Sequence, residues 1–276
     1  MKRLLLFTLP LLLFQACKKN SSISACVNFD FRKPYTLPSA PAASVLCDTS
    51  IRGIYKGVTI NAGDESATVE LNIANAGDVV FGREYMDGVV RDSLVRYLVD
   101  PGTGLLKYPL ARDVAPINTG ARYHTIFESF LPDSANAFVQ FAVERGGLSP
   151  LLDVNLKGNQ TLDAVLKEQS NKQVFCFEGS YAGGYINGSA SRDTGRVAFV
   201  VRADTAIVIM ASIASPQFFP ASGAAAANNK FTIPVYDGPG DAAFVLTCTV
   251  TGNTCSGTWV RINATATGSF TARRTL

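Results

Sequence analysis

His124 is the only histidine in the chain, and Glu128 four residues on could orient it as a base. One imidazole rules out a multi-histidine metal centre. A serine nucleophile would need His124 beside it, and the sequence has no G-x-S-x-G elbow. The segment Tyr-His-Thr-Ile-Phe-Glu reads instead as a strand with alternating faces. Asp64 and Glu65 fall in a Gly-Asp-Glu-Ser turn and read as solvated, without the D-x-[DN]-x-[DN]-G spacing of a calcium loop. The glycines from Gly179 to Gly188 lie among strand formers, whereas a phosphate cradle needs a following helix and lysine. We therefore expect no catalytic residue, metal or cofactor. Trp259, Tyr181 and Tyr236 remain as candidate ligand contacts, with plain core packing as their alternative use.

The chain's address is more informative. Lys2 and Arg3 precede an apolar run from Leu4 to Phe14, the charged and apolar regions of a secretory signal. Eleven helical residues span about 16 Å, roughly half a bilayer core, so this run is too short to be a membrane anchor itself. It ends in Leu13-Phe14-Gln15-Ala16-Cys17. A small residue directly before a cysteine resembles a bacterial lipobox in the relaxed form of Bacteroidetes lipoproteins, although Phe14 and Gln15 depart from the stricter pattern. That resemblance implies removal of residues 1–16, acylation of Cys17 and residence in the cell envelope, on the outer membrane. Residues 17–46, with Pro34, Pro38 and Pro41, read as a lipidated tether. The longest later apolar run, Ala206 to Met210, is only strand length. Removing residues 1–16 deletes Lys2 and Arg3 and no acid, which lowers the formal charge from +3 to +1. With no block of like charges, nucleic acid is not an expected partner.

An exported chain permits disulfides, and five cysteines follow Cys17, so one is left over. Cys248 and Cys255 flank a turn at Gly252-Asn253. A two-residue loop there puts Cys255 opposite Val250, so a Cys248–Cys255 bridge requires a shifted register or a longer loop. Both outcomes stay open. Cys26 and Cys47 form a second candidate pair.

The remaining sequence reads as β throughout. Val69, Leu71 and Ile73 alternate with polar residues, as do Leu152, Val154 and Leu156, and Phe244, Leu246, Cys248 and Val250. Turn signals at Asp87-Gly88, Pro101-Gly102, Gly146-Gly147, Asp237-Gly238 and Gly252-Asn253 separate the runs. The best helix candidate is Leu162 to Gln169. Gly53-Ile-Tyr55-Lys-Gly57 recurs as Gly179-Ser-Tyr181-Ala-Gly183, and Gly158-Asn159 recurs as Gly252-Asn253. These repeats suggest a duplication with an insertion near residues 100–135. We expect an all-β protein of two tandem antiparallel barrel or sandwich units, at residues 47–172 and 173–276.

Gly257-Thr-Trp259 resembles the G-x-W motif of lipocalins and avidins, which carry it on their first strand rather than near the end. Asp92-Ser93-Leu94, Asp133-Ser134-Ala135 and Asp204-Thr205-Ala206 resemble the short motif that Bacteroidetes export enzymes O-glycosylate. That resemblance implies Ser134, Ser93 and Thr205 as acceptors. The expected function is a membrane-anchored, non-enzymatic binding or assembly module for an envelope protein or glycan. The alternative is a carrier holding a small apolar ligand inside a barrel.

Overall fold

The computed structural model describes residues 42–61, 65–73, 75, 81–86, 89–99, 106–107, 122–129, 138–155, 161–184, 193–213, 218–236, 243–262 and 266–276. The first sheet contains β1 (Gly53–Asn61), β2 (Ser66–Ile73), β3 (Phe81–Met86), β4 (Val89–Val99) and the short β5 (Leu106–Lys107). It continues with β6 (Arg122–Ser129), β7 (Phe138–Glu144), β8 (Leu151–Asn155) and β9 (Thr161–Lys167). Its order is β8-β7-β6-β4-β3-β2-β1-β9, with β5 beside β4, and every pairing is antiparallel. The two edge strands, β8 and β9, are consecutive and meet through side chains. Val154 N–H donates to the Asp163 carboxylate at 3.2 Å, and the Thr161 hydroxyl donates to Val154 O. The sheet thus curls around a core of Tyr55, Val69, Leu71, Phe127, Phe141 and Val165.

The second sheet is a closed eight-stranded barrel in next-neighbour order. Its strands are β10 (Val174–Gly183), β11 (Asp193–Arg202), β12 (Thr205–Ser212) and β13 (Phe218–Ala227). β14 (Lys230–Val235), β15 (Phe244–Thr251), β16 (Thr254–Arg261) and β17 (Thr267–Arg274) complete it. Eight strands enclose a space that side chains can just fill. Here Phe177, Phe199, Phe231, Leu246, Trp259 and Phe270 are among those that fill it.

Strands buried on both faces join the two sheets. Val58 and Ile60 of β1 and Ala164 and Leu166 of β9 pack on Cys176, Val200, Ile209 and Ala211 of the barrel wall. This double burial explains the unbroken apolar run from Ala206 to Met210, which a half-solvated strand would not need. It also corrects the helix expectation at Leu162 to Gln169. Those residues form β9, because Val165 is needed in one core while Ala164 and Leu166 are needed in the interface. Residues 31–276 form one compact unit containing both sheets.

Tyr55 and Tyr181 both lie on the first strand of their sheet and point into its core. Gly158-Asn159, and residues 100–135 apart from β5 and β6, lie outside the described residues.

Candidate functional site

The barrel's two ends differ. At one end the hairpins turn within two residues, at 203–204, 228–229 and 252–253. At the other end β10, β12, β14 and β16 all finish, and the connections after them are longer. Long connections on a rigid barrel are where binding residues concentrate, which makes this mouth the candidate site. Ile213, Tyr236 and Ile262 follow β12, β14 and β16 there and are exposed, as is Val260 on the outer wall.

Beneath the rim lies an aromatic plug. Trp259 meets Tyr181 edge-on, with centroids 6.4 Å apart, and meets Phe244 at 6.2 Å; Phe244 in turn meets Phe219 at 4.9 Å. The indole fits because glycines face it on two successive strands. A side-chain carbon at Gly268 would meet Trp259 Nε1 at 2.4 Å, and one at Gly183 would meet its Cζ2 at 2.6 Å. Gly183, Gly268 and Trp259 are cross-strand neighbours, so the two glycines make one slot. Among the described residues, Trp259 Nε1 and Arg261 Nη1 are enclosed donors without a hydrogen-bond partner. Alternation from inward-facing Trp259 puts Arg261 on the inner side at the mouth.

The three aromatic candidates therefore separate. Trp259 and Tyr181 come together, but as buried core, and Tyr236 alone is placed on the rim. Cys248 and Cys255 face inward on β15 and β16, both buried and present as free thiols. Their register is that of a two-residue loop, Val250 opposite Cys255 and Cys248 opposite Gly257. The diagonal pair is nevertheless close enough for the Cys255 thiol to hydrogen-bond Cys248, which together with burial pushes its pKa far up. The register is neither shifted nor lengthened, as a Cys248–Cys255 bridge was expected to require, and no bridge links the two thiols. Thr205 opens β12 at the tight-hairpin end, with its hydroxyl 3.3 Å from Asp204 Oδ1 and 3.4 Å from Arg202 Nη2. Ser93 falls on β4, paired with Arg83, and not in a loop. His124 falls on β6, opposite Ala142. Cys17, Cys26 and Ser134 lie outside the described residues.

Sequence reasoning missed four polar clusters. At the junction of the sheets, Lys56 Nζ pairs with Glu168 Oε2 at 2.6 Å, and Glu168 also accepts from Val174 N–H at 3.1 Å. Lys172 and Arg202 both bind Asp204, at 2.7 and 2.6 Å. These bonds outweigh partial desolvation and hold the Asp204 carboxyl down at about 2. Across the interface, Ser66 donates to Glu178 at 2.5 Å, and Thr68 donates to the same carboxylate. At the start of β1, Lys167 is buried and donates to the carbonyls of Cys47 and Ser50. Desolvation keeps its amine below the ordinary lysine value. The only sequence signals were charges inside apolar strands, as in Phe-Cys-Phe-Glu178 and Val-Leu-Lys167-Glu168.

These contacts also orient the barrel. Lys56 reaches Val174 O, Cys176 Sγ lies 3.7 Å from Gly57 O, and Glu178 meets the partners of Val58 and Ile60. β1 and β10 therefore run in the same direction. The chain enters at the start of β1, so the barrel mouth lies at the opposite end from the entry point.

Comparison with protein families, with curated proteins and with solved structures gives no match.

Proposed function

We propose that this chain is a Bacteroidetes-type envelope lipoprotein, anchored through Cys17 to the outer membrane. Its barrel mouth serves as a non-enzymatic binding or assembly surface for an envelope protein or glycan. The observation that carries this reading is the polarity of the molecule. Chain entry is fixed at one end, where buried Asn75 binds Ser44 N–H and Ala42 O at 2.9 Å each. The mouth, with Tyr236, Ile262 and Arg261, is at the other end. A lipid at Cys17 would hold that surface away from the bilayer.

The carrier reading is weaker, because aromatic and aliphatic side chains occupy the barrel interior that an apolar ligand would need. Among the described residues no helix is long and apolar enough to cross a membrane. Metabolic labelling with an alkyne fatty acid tests the anchor. Cys17→Ser should abolish label incorporation and release the protein from the membrane fraction. Undiminished labelling of the variant would sink the assignment.

A further inference from the structure

We infer that the chain-entry end of the first sheet is a lipid-docking face, on which Val45, Leu46, Leu148 and Leu151 rest against the surface of the membrane that carries the anchor. These four are large apolar side chains left in water, Leu46 at 85 % and Leu148 at 65 % exposure. Scattered exposed leucines are ordinary, but Val45, Leu46 and Leu148 belong to two turns that converge, and Leu151 opens β8 just after the second. Leu46 is in the 3-10 turn Val45–Cys47, and Leu148 follows the turn Arg145–Gly147. A side-chain carbon at Gly147 would meet Ser50 O at 2.5 Å and Lys167 Nζ at 2.6 Å, so only glycine permits the approach. The buried Lys167 amine ties the first turn down through the Cys47 and Ser50 carbonyls. The leucines are therefore held outward on a fixed base.

The occupant follows from where the chain comes from and from the charge around the patch. Residue 42 is the first described, three positions before Val45, and the segment reaching back to Cys17 is 28 residues long. Fully extended it spans at most about 100 Å, and any shorter path brings the patch closer to the acylated end. Tethering makes docking intramolecular, so weak apolar contacts suffice once the anchor is inserted. Arg52 and Arg145 are exposed on the same two turns, suited to anionic headgroups. Two acids stand by the patch: Asp48 turns its carboxylate to the Ser170 N–H and hydroxyl, at 2.8 and 2.7 Å, and Glu144, next to Arg145, is half-buried. Shallow insertion of such side chains reaches the boundary between headgroups and acyl chains.

The inference rests on the lipoprotein reading, and the test separates the two. Trp259 is the only native tryptophan and is buried in the barrel, so it gives a constant background. Full-length mature protein carrying Leu46→Trp, Leu148→Trp or Ile262→Trp is reconstituted in phosphatidylethanolamine and phosphatidylglycerol vesicles with brominated acyl chains. Mass spectrometry of the same samples reads acylation at Cys17. Docking predicts that the new emission from Leu46→Trp and Leu148→Trp is quenched by about half, as expected for shallow insertion, while Ile262→Trp is unaffected. Acylated protein in which all three behave alike overturns the inference alone. An unacylated Cys17 overturns the lipoprotein reading and the inference with it. Protection of Leu46→Trp from aqueous acrylamide in intact envelopes, without bromolipid quenching in vesicles, would assign the patch to a protein and also overturn it.

Discussion

Gly268→Ala is the sharpest test of how the mouth is built. The new methyl would stand 2.4 Å from Ala182 O and 2.4 Å from both Cε2 and Nε1 of Trp259. Ordinary contact begins about 1 Å further out, so the indole or the β17 backbone must move by that amount. Overpacking of this kind costs about 1–3 kcal/mol. Replacing a strand glycine by alanine returns about 0.5–1 kcal/mol of backbone entropy. The expected net loss is about 1–2 kcal/mol, read as a lower urea midpoint by circular dichroism. Phenylalanine lacks the pyrrole ring that carries Nε1, so Trp259→Phe should relieve part of the clash. The double-mutant cycle should then show a coupling of about 1 kcal/mol. An unchanged midpoint in Gly268→Ala, or a cycle whose terms simply add, would refute the view that paired glycines seat the plug.

Other perturbations address the junction, the seam and the thiols. Lys56→Met leaves Glu168 buried without its cation and should cost about 3 kcal/mol in urea unfolding; a loss under about 1 kcal/mol would mean that the pair is dispensable. Burial raises the Asp163 carboxyl from 3.8 to about 6 against opposing hydrogen bonds, so the folded chain holds that proton more tightly than the unfolded chain does. Its stabilising contribution is full below about pH 4 and is lost as pH rises towards 6, by roughly 3 kcal/mol at most. Asp163→Asn should flatten the unfolding midpoint over that window, and an unaltered pH profile would contradict the assignment. The tryptic peptide Phe231–Arg261 carries both Cys248 and Cys255 and no other cysteine. Isolated from exported protein without reductant, it should have the same mass before and after reduction, and a gain of two hydrogens on reduction would show that a Cys248–Cys255 bridge forms after all.

Local patterns carried much of the architecture. Alternation in Phe244 to Val250 marks β15, and the two residues Gly252-Asn253 set the register that places Val250 opposite Cys255. The choice between barrel and sandwich was not legible, because it depends on β10 pairing with β17 across most of the second sheet. Leu162 to Gln169 misled because β9 is buried on both faces, with Val165 in one core and Ala164 and Leu166 in the interface, so Ala164-Val165-Leu166 run on as consecutive apolar residues. The polar interface was invisible for a related reason: Glu178 finds Ser66 and Thr68 more than a hundred residues away, and no local motif records that. Trp259 stood out as the lone tryptophan, yet only the slot formed by Gly183 and Gly268 shows that it is a plug and not a contact surface.

The proposed binding surface is the barrel mouth, at the opposite end of the fold from the chain entry. The most direct measurement places a photo-crosslinking amino acid at Ile262 on the mouth, and at Asn253 in the tight hairpin at the opposite end, in cells making the full chain. A partner at the mouth gives one reproducible envelope adduct from Ile262, lost when Tyr236→Ala is added, and none of that mass from Asn253. The same adduct from both positions, or an adduct from Asn253 alone, would contradict it.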